Sequence, residues 1–76
     1  MPEKTTAADT LTPRQREVLK LLVKGKSNKE IARALKLGEG TVKVHMAGLF
    51  RALGVNTRAA AAVAGTQLMN GRESAA

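Results

Sequence analysis

The chain has 76 residues, 13 basic and 6 acidic side chains, a formal net charge of +7 and no cysteine. That length allows one domain with a modest core, burying roughly 60–65% of the surface the unfolded chain exposes. The lack of cysteine excludes a disulfide framework or a thiolate metal site; with no run of about 18–20 apolar residues to span a bilayer, the composition reads as a soluble, cytoplasmic protein.

Residues 1–11 read as a flexible leader. MPEKTTAADT is polar, lacks periodicity and has no apolar signal core. Thr12-Pro13-Arg14-Gln15 then opens a first helix, expected over 13–24. It supplies a capping hydroxyl, a proline at the first helical position and a Gln three residues after the cap. Val18, Leu19, Leu21 and Leu22 form its apolar face, and Gly25 is its stop. Ser27-Asn28-Lys29-Glu30 is a second capping box. It opens a helix expected over 28–36, with Ile31, Ala32 and Leu35 on one face. After a turn at Gly38, a third helix is expected over 39–53, with Glu39 at the positive end of its dipole and Gly54 closing it. Thr57 caps a fourth helix, 58–69, built mostly of alanine. Asn70-Gly71 should end it, leaving 71–76 as a frayed tail. No stretch alternates apolar and polar residues with β-branched enrichment, so the fold class is all-α: a compact four-helix bundle over residues 12–70.

Charge is concentrated in the middle of the chain. Between Arg14 and Arg51 ten cations face only Glu17, Glu30 and Glu39. Such a field attracts polyanions. Phe50 is the only aromatic residue, which disfavours base stacking on single strands.

The third helix carries the most informative pattern. On a wheel of about 100° per residue with Val42 at the origin, Leu49, Leu53 and Met46 fall at about 340°, 20° and 40° and mark the core face. Met46 and Phe50 read as core. Lys43, Ala47, Arg51, Val44 and Gly48 fall on the opposite side, at about 100–240°. That face combines two cations, one branched apolar residue and two very small residues. It suits a helix laid in a DNA major groove: small residues permit close approach, a lysine reaches guanine O6 and N7, and a valine touches a thymine methyl. The short preceding helix and tight turn match a helix-turn-helix over about 27–46. The start of that second helix, Ser27, Asn28 and Lys29, offers free amides and a lysine to a phosphate.

The stretch from "LTPRQREVL" through "GKSNKEIA" and "GTVKVH" to "LGV" resembles the LuxR/FixJ-type helix-turn-helix domain of bacterial transcription regulators, from Leu11 to about Leu68. The resemblance implies that the third helix is the recognition helix and that the fourth mediates dimerisation. It assigns base contacts to Lys43, Val44 and Ala47. Phosphate contacts are expected from Ser27, Asn28, Lys29, Thr41 and Arg51. A lysine or other polar residue is frequent in the family at the position of Ala47, so alanine removes one possible base contact. Gly38 stands where a serine often caps the recognition helix, and such a replacement loses only a few tenths of a kcal/mol. Ala59 and Ala60 replace the polar or acidic residue usual after the arginine. They make a smooth dimer face of Ala59, Ala60, Val63, Thr66 and Gln67.

The implied function is sequence-specific binding of double-stranded DNA as the effector domain of a bacterial transcriptional regulator, as a dimer on an inverted repeat. RNA polymerase is a further candidate partner. The alternative is a protein-interaction module of the same fold that contacts a regulatory partner or the polymerase. No cofactor, metal, membrane or small-molecule ligand is expected for this domain. An enzyme is disfavoured, because the folded part has one histidine, His45, and scattered carboxylates. "GEGTVK" lacks the preceding strand and the GK[ST] ending of a phosphate loop. His45 reads as structural. Glu17 reads as an ion-pair partner, with Arg58 as the candidate cation, and Lys20 and Lys24 as solvated contributors to the field.

Overall fold

A computed structural model describes residues 11–75, with side chains described through Met69. It holds four α-helices and, among the described residues, no strand: α1 (Pro13–Val23), α2 (Asn28–Leu35), α3 (Glu39–Leu53) and α4 (Arg58–Ala75). The expected leader, apart from Leu11, lies outside the described residues. Leu11 itself is a correction, since it is 4% exposed and belongs to the core. It immediately precedes the cap of α1, where an apolar residue pins the entering chain against the fold.

Both expected capping boxes are present. The Gln15 amide donates to Thr12 Oγ1 at 3.1 Å, and the Thr12 amide donates to Gln15 Oε1 at 3.0 Å. The Glu30 amide donates to Ser27 Oγ at 3.1 Å, and the Ser27 amide to Glu30 Oε1 at 2.8 Å. Thr57 Oγ1 accepts from the Ala60 amide at 3.0 Å and starts α4. Gly38 caps α3 without a side-chain hydrogen bond.

The first three helices stop in the same way. After each, one amide bonds back across five residues: Lys26 to Leu21, Leu37 to Ala32, and Val55 to Phe50. This closure needs one residue in the left-handed region. Gly25 and Gly54 fill that position after α1 and α3, with φ of 85° and 70°. After α2 the position is Lys36, φ 59° and ψ 46°. A residue with a Cβ gives up roughly 1–2 kcal/mol in that conformation. It also explains why α2 ends at Leu35 rather than at 36 as the sequence suggested.

The helices enclose one core of Leu11, Val18, Leu19, Leu22, Ile31, Ala32, Val42, Met46, Leu49 and Ala61. Leu53 and Phe50, expected in it, are half-buried at its edge. α4 approaches α1 closely where Gly65 faces Leu19 and Val23. A Cβ built on Gly65 would lie 2.6 Å from Leu19 Cδ1 and 2.8 Å from Val23 Cγ2. Here α4 departs from expectation at its far end, continuing through Asn70 and Gly71 to Ala75. An interior glycine weakens a helix by about 1 kcal/mol but leaves its hydrogen bonding intact, and no proline follows to stop it.

Candidate nucleic-acid interface

α3 has two faces because its apolar residues recur at helical spacing. Val42, Met46 and Leu49 are buried, and they fix the helix against α1 and α2. The opposite side presents Lys43, Val44, Ala47 and Arg51, all exposed, with Thr41 exposed in the first turn. Val44 is 69% exposed. A solitary valine gains nothing from water, so its position is informative only in company: a cation precedes it and a methyl-sized residue lies one turn on. The faces expected from the sequence to contact bases and to pair each carry one large exposed hydrophobic residue, the second being Val63 at 58%.

Gly48 is less free than its place on the wheel implied. A Cβ there would meet Gln15 Nε2 at 2.8 Å, while Arg51 Nη2 would lie 3.9 Å away. Gln15, read from sequence only as a cap, therefore also covers the flank of α3. No sequence signal marks this contact, because it arises only when α1 and α3 pack together.

At the start of α2, Ser27 and Lys29 are exposed and Asn28 is half-buried. The capping box occupies the Ser27 amide and the Glu30 amide, leaving the amides of Asn28 and Lys29 without intrahelical partners. The Ser27 hydroxyl accepts the cap bond and keeps its own proton to donate. The Ser27 backbone hydrogen bond holds the Glu30 carboxyl below its usual range, and Lys26 and Arg33 act in the same direction.

Asn28 is partly committed elsewhere. Arg58 Nη1 donates to Asn28 Oδ1 at 3.0 Å, and Arg58 Nη2 donates to the Lys26 carbonyl. The guanidinium thus ties the first residue of α4 to the segment between α1 and α2. This corrects the expected Glu17–Arg58 pair: Glu17 instead meets Arg14 at 3.1 Å, one turn away on α1. Arg58 is drawn to the oxygens of the 26–28 segment, and Glu17 has a cation within its own helix.

The expected dimer face lies along α4. Ala59, Val63, Thr66 and Gln67 are exposed and Ala60 is half-buried, while Ala61 and Gly65 are buried on the inner side. Among the described residues, this ridge is thus left largely uncovered. Among the described residues, no group of three His, Cys, Asp or Glu could hold a metal ion, and no helix is long and apolar enough to cross a membrane.

Comparison with known proteins gives a consistent result. Residues 9–64 match the model of bacterial regulatory proteins, luxR family. YhjB of Escherichia coli, named as an HTH-type transcriptional regulator, is 52% identical over 54 residues, which are 71% of this chain and 27% of YhjB. The nitrate/nitrite response regulator protein NarL of Escherichia coli is 46% identical over 61 residues, 78% of this chain and 28% of NarL. The crystal structure of the response regulator ChrA, from a heme-sensing two-component system, superposes with a TM-score of 0.73 at 35% identity. That superposition covers 91% of this chain and 32% of ChrA. The chain therefore spans about a quarter to a third of the length of these proteins.

Proposed function

Because the chain belongs to the luxR family of bacterial regulatory proteins, we propose that it is the effector module of a transcription regulator and reads double-stranded DNA with α3 in the major groove. One observation carries the reading: the exposed side of α3 joins Lys43 and Arg51 to an unburied Val44 and the small Ala47. Charge attracts the duplex, small residues admit it, and Lys43 and Val44 supply donors and methyls at the base edges.

In this reading Ala47 offers a methyl alone. Arg51 and Thr41 meet phosphates on the flanks of the groove. Ser27, Asn28 and Lys29 hold a phosphate at the start of α2, with Asn28 using the amide group that Arg58 leaves free. A second copy pairs through Ala59, Ala60, Val63, Thr66 and Gln67, so that two α3 helices address an inverted repeat.

The test is selection of bound sequences from a random duplex pool, followed by titration at several salt concentrations. The expected result is a two-fold symmetric site. Affinity should fall by about 10³–10⁵ between 50 and 200 mM salt, the loss for roughly six to ten phosphate contacts. Failure to retain mixed duplex DNA at low salt would favour the protein-interaction module instead.

A further inference from the structure

Three helix ends in this chain use one closure, and only one of them places a side chain in the left-handed position. Gly25 and Gly54 adopt it freely, whereas Lys36 adopts it with a Cβ. Glycine is the unstrained solution there, and the chain uses it twice. A strained residue kept at a functional element points to a task for its side chain.

The surroundings of Lys36 indicate the task. Lys36, Leu37 and Gly38 alone connect α2 to α3. Leu37 is half-buried against the core, while Lys36 is exposed. The turn therefore has one anchored residue and one free cation. Among the described residues the ion pair is Arg14–Glu17, so no carboxylate holds Lys36. Among the described residues, nothing beyond the adjoining backbone lies within 4 Å of a Cβ built on Gly38 or Gly40, so the first turn of α3 is open on that side. Lys43 lies four residues into α3, about 6 Å along its axis. Lys36 stands seven residues before Lys43, on the turn that leads directly into the helix carrying it.

We propose that Lys36 is a DNA-backbone contact, set beside the groove by the left-handed turn that joins α2 to α3. The inference rests on the DNA-binding reading above and adds a phosphate-contacting position to it. The contact is electrostatic and sequence-independent. It lends affinity equally to every duplex and leaves base preference to α3.

The test compares the unmodified chain with Lys36→Gly and Lys36→Arg, by thermal unfolding and by titration of a fluorescent mixed-sequence duplex between 50 and 200 mM salt. Lys36→Gly relieves the turn and should raise Tm by roughly 4 °C. The same variant should bind the duplex about fivefold more weakly, with the slope of log affinity against log salt shallower by about one per bound chain. Lys36→Arg should keep the slope of the unmodified chain. Unchanged affinity and slope in Lys36→Gly would overturn the proposal, as would an equal loss in Lys36→Arg. If the unmodified chain retains no duplex at low salt, the DNA-binding reading falls with it. That outcome is distinct from a chain that binds well with or without Lys36.

Discussion

Val42 and Val44 stand two residues apart on α3, yet the first is fully buried and the second is 69% exposed. A helix turns about 200° over two residues, so identical side chains meet opposite surroundings. Under the proposed function, the pair separates holding from reading. Val42→Ala should destabilise the fold by about 2 kcal/mol, through lost burial and the void it leaves. Val44→Ala should change stability by no more than about 0.5 kcal/mol but weaken the selected DNA site by about 1 kcal/mol through lost methyl contact. Urea unfolding and duplex titration of both variants check this, and a destabilised Val44→Ala would contradict the division.

Lys43→Ala tests base readout. It should weaken the selected site by about 1–3 kcal/mol and random duplex far less. Equal losses on both would make Lys43 a phosphate contact. Competition titration with the selected and a scrambled duplex distinguishes the two.

Gly65→Ala tests the approach of α4 to α1. The added methyl would sit 2.6 Å from Leu19 Cδ1 and 2.8 Å from Val23 Cγ2, both in packed side chains. Over-packing of this kind is destabilising by about 1–3 kcal/mol, despite the better helix propensity of alanine. The urea midpoint should fall accordingly.

Val63→Glu tests the dimer face. Val63 is 58% exposed in the single chain, so stability should change by no more than about 0.5 kcal/mol. Across a two-fold axis the new carboxylates would face each other and oppose pairing. Sedimentation of the complex with an inverted-repeat duplex should show one bound chain in place of two. Retention of two would move the dimer contact elsewhere.

Glu30 gives a pH dependence of definite sign. Its carboxyl is lowered from 4.5 in the folded chain, chiefly by the Ser27 backbone hydrogen bond. A depressed folded pKa means that the stabilisation is complete above the unfolded value and disappears as pH falls through the folded one. Glu30→Gln keeps the cap geometry without the charge. The stability difference between the two chains should therefore be constant near neutrality and shrink as pH drops below about 4.5. A difference that stays constant into strong acid would remove the charge from the account.

Much of the fold was legible because its helix starts and stops are written in single residues. Thr12, Ser27 and Thr57 cap the helices expected of them, and Gly25 and Gly54 close two more ends. The third closure was hidden, because lysine carries no mark of a left-handed conformation. Leu11 was misassigned since its burial depends on partners distant in sequence, and so was Arg58, whose acceptors are a carbonyl and an amide side chain more than thirty and about thirty residues away. The two faces of α3 could be read from periodicity alone. Gln15 over Gly48 could not, as that contact belongs to the packing of two helices.

The Arg58 guanidinium joins the first residue of α4 to Lys26 and Asn28, and so couples the helix proposed to pair to the end of α2 proposed to hold a phosphate. In a two-fold complex this makes each subunit a stiff caliper: the jaws are set by bonds inside the protein before any duplex is met. Half-sites a base pair too near or too far would have to spring those bonds open to be gripped at both ends. Under the proposed pairing, selectivity for spacing would originate in a side chain assigned neither to a base nor to the partner subunit.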